Sequence, residues 1–241
     1  MLNYKSLKTK KGRDETGLFI VEGDKFIAEI PPGYKIEQYI TSKKYAGDIP
    51  PQYTPLAVVR DSILSALSDT VSPQGLIAIC HKKQQPDILA TGTKFLLCEN
   101  LNDPGNIGTL IRTAAAAGID GIILTQGSGD IYNPKVIRAS AGAVLRMDFV
   151  ENAQLEDVVE KLTARNIPIY AAHPRGQNTP YQLDLTDKFC LLVGNETHGI
   201  SPQAAALATQ LVTLPMVNKT ESLNASVAGS LLLYEHVRQI S

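Results

Sequence analysis

"KFLLCENLNDPGNIGTLIRTAAAAGIDGIILT", residues 94–125, is the stretch on which the fold turns. It begins with an apolar run, "KFLLCE", and breaks at Asp103-Pro104-Gly105, which is turn chemistry. From there Ile107, Leu110, Ile111, Ala114, Ala115 and Gly118 recur at i, i+3, i+4, i+7, i+8 and i+11, one apolar stripe along a helix. Asn106 suits the N-cap of that helix. "GIILT" then returns to a second β-branched run. Two strands that are apolar throughout, joined by a helix, imply a parallel sheet with both faces covered.

Downstream the alternation repeats: "PKVIRASAGAVL", "MDFV", "LEDVVEKLTARN", "IPIYAAH", "FCLLVG", "SPQAAALA", "QLVTLP", and a last helix through "SVAGSLLLYEHVRQ". In such sheets ligands bind at the carboxyl ends of the strands. Upstream, "GLFIVEG", "YKIEQYIT", "PLAVV" and "GLIAIC" read as strands with shorter helices between them, including "DSILSALSD". They make a small α/β domain with its own core. The polar "HKKQQPDILATGT", with Pro86 and Gly92, reads as the connection. The expected division is therefore 1–85 for the first domain, 86–93 for a linker and 94–241 for the second.

The chain has 241 residues, 44% hydrophobic and 20% charged, the balance of a soluble globular protein. No apolar run reaches the roughly 18–20 residues that span a bilayer. The cysteines Cys80, Cys98 and Cys190 stand singly in apolar strands, which argues for neither disulfides nor a metal site and points to the cytoplasm. A net charge of −1 excludes nucleic-acid binding by bulk charge alone. The distribution is less even, because Lys5, Lys8, Lys10, Lys11 and Arg13 all precede the first acid, Asp14. That run is either a solvated face or a set of phosphate contacts.

Three loops carry candidate chemistry. In the first, Arg112 lies off the buried stripe, roughly 130° from its centre at 100° per residue. In the second, "LLVGNETHGISPQAAALA", the strand ends at Gly194, where backbone can approach a ligand, and Asn195, Glu196 and His198 crowd the strand's end. His198 has no partners at metal-ligand spacing. The third, "LPMVNKTESLNASVAG" (214–229), offers Thr220, Glu221, Ser222, Asn224 and Ser226 at one helix start, more polar groups than a cap requires. None of the loops is a Walker A or G-x-G-x-x-G sequence.

Together, "NDPGNIGTLIRTAAAAGID", "LLVGNETHGIS" and "LPMVNKTESLNASVA", in that order and spacing, resemble the three signature motifs of the SpoU (TrmH) family of SPOUT RNA ribose 2′-O-methyltransferases. "YNPKVIRASAGAVLRM" (132–147) resembles the family's segment between the first two motifs. "KKGRDETGLFIVEGDKFIAEI" is similar to the L30e-like substrate-binding domain that many members carry. The resemblance covers nearly the whole chain. It implies a C-terminal parallel-sheet domain with a deep trefoil knot, S-adenosylmethionine as methyl donor without a metal, and a homodimer built on the terminal and first-motif helices.

Carried over position by position, the resemblance makes Arg112, Asn106, Glu196, Ser222 and Asn224 the catalytic set. Gly194, Leu214, Met216, Leu223, Asn224 and Ala172 would hold the cofactor, and Lys8, Lys10, Lys11 and Arg13 would contact RNA. The implied reaction is attack of a ribose 2′-hydroxyl on the sulfonium methyl. Arg112 would act as proton acceptor or as phosphate clamp, Ser222 and Asn224 would orient the ribose, and Glu196 would fix backbone or arginine geometry. Ribosomal RNA of the 23S type is the favoured substrate. Transfer RNA, or an RNA-binding role without catalysis, is the alternative.

Overall fold

The computed structural model describes residues 4–46, 49–50, 52–70, 73–218 and 222–241. Thr220 and Glu221 of the third loop lie outside them. Among the described residues no helix is long and apolar enough to cross a membrane.

The first sheet uses all four strands expected from the sequence: β1 (Leu18–Glu22), β2 (Ile36–Ser42), β3 (Leu56–Val59) and β4 (Leu76–His81), in the order β1-β4-β2-β3. β4 is antiparallel to β1 and β2, and β3 runs parallel to β2 along the edge. Around it lie α1 (Lys10–Thr16), α2 (Asp24–Ala28) and α3 (Asp61–Leu67). Side chains alternate across a strand. Leu18, Ile20, Ile77 and Ile79 therefore share one face with Leu64 and Leu67 of α3. Phe19, between them, points the other way and stacks against Tyr132 with ring centroids 4.5 Å apart.

That contact explains a departure from the expected division. The two compact units of the chain are Met1–Gln84 with Asp130–Arg146, and Gln85–Gly129 with Met147–Ser241. The excursion 130–146 joins the N-terminal unit because Phe19 needs a cover and because Asp130 pairs with the buried Arg13. The linker reading of 86–93 also changes. Within that stretch Ile88–Thr91 form α4, and Ile88 and Leu89 are buried in the core of the C-terminal unit, where apolar side chains gain most.

The second sheet contains β5 (Lys94–Cys98), β6 (Gly121–Thr125), β7 (Phe149–Ala153), β8 (Ile169–Ala172), β9 (Phe189–Val193) and β10 (Gln210–Val212). Its order is β10-β8-β9-β5-β6-β7, and every neighbouring pair is parallel. The central strands β9 and β6 bury every residue, whereas the edge strands β7 and β10 do not. Continuous apolar runs thus mark the middle of the sheet. The connecting helices are α5 (Pro104–Ala116), α7 (Leu155–Ala164), α8 (Pro202–Leu207) and the terminal α9 (Ala225–Ile240), with α6 (Pro134–Ala139) in the excursion. "PKVIRASAGAVL" is not one helix: α6 stops at Ala139, and left-handed Ala141 and Gly142 lead into a short 3-10 turn.

Candidate active site

α5 is capped differently from the sequence reading. Asp103, not Asn106, is its N-cap: its Oδ1 accepts the Asn106 N–H at 2.9 Å, and Pro104 fills the first turn, where its missing N–H costs nothing. Asn106 is thereby turned inward and 8% exposed. Its side-chain amide donates to Glu196 Oε1 at 3.2 Å. Gly118, expected in the apolar stripe, instead follows the helix end in a left-handed conformation (φ 70°).

Glu196 is the knot of contacts between the first and second loops. Besides Asn106, its carboxylate accepts the Asp103 N–H at 2.9 Å and, more loosely, the Asn102 N–H and Asn195 Nδ2. Burial is the largest single influence on this carboxyl and pushes its pKa up. The hydrogen bonds from Asp103, Asn106 and Asn102 overcome it and hold the group below the usual glutamate range. Glu196 is therefore a charged brace across the ends of β5 and β9.

Gly194 is required by its own loop. A Cβ there would lie 2.2 Å from the Gly199 carbonyl carbon and 2.3 Å from the Ile200 nitrogen. The loop doubles back through paired bonds between Asn195 and Gly199, with Gly199 left-handed. The close approach read from the sequence is real, but what approaches is this backbone.

Two residues the sequence reading missed, Glu99 and Asn100, complete the brace. Glu99, the residue after β5, accepts the Ser201 N–H at 2.8 Å and the Ser201 hydroxyl at 2.6 Å, fixing the start of α8. Asn195 Nδ2 donates to the Asn100 carbonyl at 2.9 Å. The signal was available: a carboxylate immediately past a central parallel strand sits where such sheets bind ligands.

The third loop begins after β10. α9 starts at Ala225, with Asn224 as N-cap; its Oδ1 accepts from Ser226 N at 2.8 Å, Ser226 Oγ at 2.7 Å and Val227 N at 3.3 Å. The cap therefore uses Asn224 Oδ1 and leaves its Nδ2 for other partners. Ser222 is exposed. α9 packs on α5 at close range, since Gly229 lies against Leu110 and Val193, and Thr113 and Ser230 share a 3.1 Å hydrogen bond. Arg112, one residue before Thr113, is exposed and makes no hydrogen bond or ion pair with the described residues.

Ala172 ends β8 and pairs with Val212, which places it beside the start of the 213–218 loop. In that loop the N–H groups of Leu214, Met216 and Val217 find no acceptor among the described residues. Unpaired backbone donors beside half-buried Leu214 suit the edge of an adenosine, which needs hydrogen bonds there and apolar cover. Among the described residues no group of His, Cys, Asp and Glu could hold a metal ion. Cys98, at the end of β5, has its thiol pushed up to about 12 by burial.

The four cations of the N-terminal run lie in the other unit and divide among themselves. Arg13 is 2% exposed. Its Nε donates to Asp130 Oδ2 and its Nη1 to the Leu7 carbonyl, both at 2.6 Å. It is a buried ion-pair residue and is corrected from the RNA-contact set. Lys8 donates to the Ser68 carbonyl at 2.7 Å, and Lys11 stands 3.8 Å from Glu15. Lys10 is exposed.

Comparison with known proteins adds the following. A family model described as SpoU rRNA Methylase family matches residues 94–234, and one described as MRM3-like substrate binding domain matches residues 3–78. The chain is 32% identical over 239 residues to the 23S rRNA (guanosine(2553)-2′-O)-methyltransferase RlmP of Bacillus subtilis (strain 168), covering 98% of this chain and 94% of that protein. It superposes with a TM-score of 0.87 on the SpoU methyltransferase AviRb from Streptomyces viridochromogenes in complex with AdoMet, at 25% identity, covering 98% and 96% of the two chains. An AdoMet-bound rRNA methyltransferase from Sinorhizobium meliloti gives a TM-score of 0.87 at 27% identity, covering 99% and 94%.

Proposed function

The chain belongs to the SpoU rRNA methylase family, and from that membership we propose that it methylates a ribose 2′-hydroxyl of ribosomal RNA, of the 23S type, using S-adenosylmethionine. The observation that carries the reading is Glu196, whose carboxylate ties the first loop to the second at the carboxyl ends of two central strands. A charged side chain held by several donors at that place serves to keep a site in shape.

S-adenosylmethionine, when bound, supplies a methyl group already activated on a sulfonium. The chain's tasks are then to align the ribose and to manage one proton. Leu214, Met216, Leu223, Ala172 and the loop opened by Gly194 form the cofactor wall. Ser222 and the Nδ2 of Asn224, which bonds to none of the described residues, are assigned to the ribose, while Asn106 and Glu196 hold the loop 102–106 in place. Arg112 is exposed and has no partner among the described residues, which suits a guanidinium waiting for a phosphate. A guanidinium keeps its protons in proteins, which makes it a poor base. The ribose oxygen becomes strongly acidic as its bond to the methyl carbon forms, so the hydroxyl proton leaves late, to solvent. Arg112 accordingly clamps a backbone phosphate and so holds the ribose oxygen in line with the methyl group.

The test separates binding from chemistry. Arg112→Ala should keep S-adenosylmethionine affinity by calorimetry and lose methyl transfer by roughly a hundredfold, the scale of losing the alignment of the reacting groups. Arg112→Lys should recover little, because lysine lacks the planar fork. Full activity in Arg112→Ala would end this assignment.

The path of the chain supports the trefoil knot: β10 lies at the sheet edge, yet α9 returns to the middle of the sheet and seats Gly229 on Val193 of β9. A homodimer is supported by Val227, Leu231 and Tyr234, exposed by 46%, 49% and 54% at i, i+4 and i+7 on α9. Leu232, Glu235 and His236 of the same helix are buried within the protomer. The unpaired, buried cysteines support a reducing, cytoplasmic setting.

A further inference from the structure

A cavity of about 720 Å³ opens entirely within the N-terminal unit, at the carboxyl end of β4 and the turn before β2. Its lining carries four cationic side chains, Lys35, Lys82, Lys83 and Arg146, against one carboxylate, Glu29. In a chain of net charge −1, that concentration of one sign is a local feature. The cations arrive from three separate segments of the chain. Lys82 is positioned by Asp14 at 2.6 Å and by the ring of Tyr132, 5.3 Å from its ammonium. Arg146 is positioned by its bond to Glu29, while Lys35 and Lys83 are exposed.

We propose that this cavity, and not the cationic run on α1, receives the phosphodiester backbone of the substrate RNA. The proposal rests on the reading of the chain as an RNA methyltransferase and deepens it by naming where the polyanion is gripped. Cations set around an open cavity much larger than a single phosphate suit successive phosphates of one strand, and such contacts position a nucleic acid without reading its bases. On the α1 run Arg13 is buried on Asp130 and Lys8 donates to the Ser68 carbonyl, so Lys10 and Lys11 are the cations there against which the cavity is to be compared. The excursion 130–146 also gains a purpose. It carries Arg146 from between β6 and β7 to the N-terminal unit.

Two full-length double variants test this, Lys35→Glu with Lys83→Glu and, as contrast, Lys10→Glu with Lys11→Glu. The probe is an unmodified 23S rRNA transcript, titrated at several salt concentrations, with calorimetric S-adenosylmethionine binding measured in parallel. The cavity variant should bind the transcript at least about tenfold more weakly, with a log–log salt slope shallower by about 2. Its S-adenosylmethionine affinity and thermal midpoint should match wild type. The α1 variant should leave both affinity and slope near wild type. An unchanged slope in the cavity variant, or an equal fall in the α1 variant, overturns the cavity assignment while leaving the methyltransferase reading in place. Failure of the wild-type protein to bind the transcript at all, with S-adenosylmethionine still bound, overturns the RNA reading itself.

Discussion

The two sheets of this chain treat their polar residues in opposite ways. In the all-parallel sheet, polar side chains collect in loops past the carboxyl ends of β5 and β9, where Asn106, Asn195 and Glu196 bond to one another and to backbone and Glu99 holds Ser201. In the mixed sheet of the N-terminal unit, the most conspicuous charges are absorbed into the framework: Arg13 is buried on Asp130, and Glu22 accepts from Ser68 and Thr70. A parallel sheet buries its strands on both faces and leaves only their ends open, so polarity near an end reads as a site. A mixed sheet with short connections gives no such rule, and packing decides what each charge does.

The largest effect expected from that contrast is at Arg13. Arg13→Ala leaves Asp130 charged and buried without its partner, which should cost about 3–5 kcal/mol. Thermal or denaturant unfolding should show this loss, while the salt slope of RNA binding in the folded protein stays as in wild type. A stable Arg13→Ala variant with a shallower slope would erase the difference between the two regions.

Next comes Gly194. Gly194→Leu puts a Cβ and three further carbons against the backbone of residues 199 and 200. Overpacking of this kind costs about 1–3 kcal/mol, and here the cost falls on the loop that Glu196 braces. S-adenosylmethionine binding should fall below detection by calorimetry. Wild-type affinity would show that the loop does not shape the cofactor wall.

The smallest effect should come from Asn224. Asn224→Ala removes an N-cap and should lower stability by about 1 kcal/mol, whereas Asn224→Asp retains the capping oxygen and loses Nδ2. Equal stability but impaired methyl transfer in Asn224→Asp would assign Nδ2 to the ribose. Full activity there would leave Asn224 a helix cap alone.

The sequence alone determined a good deal. Strand and helix alternation, the parallel sheet, the four N-terminal strands and the three polar loops all follow from short-range patterns, because periodicity and turn residues act within a few positions. The motif resemblance named the family for the same reason, since loop residues spaced along one chain are visible without the fold. Only the tertiary structure decided the rest. It moved the cap of α5 from Asn106 to Asp103 and put Ile88 and Leu89 of the expected linker into the core. It drew 130–146 across to the first sheet and separated the buried Arg13 from Lys10 and Lys11, its neighbours in sequence. Each of these turns on a partner far along the chain, as Asp130 is for Arg13 and Glu196 is for Asn106. A charge's fate is set by the desolvation it meets and the group that answers it, and neither is written near it in the sequence.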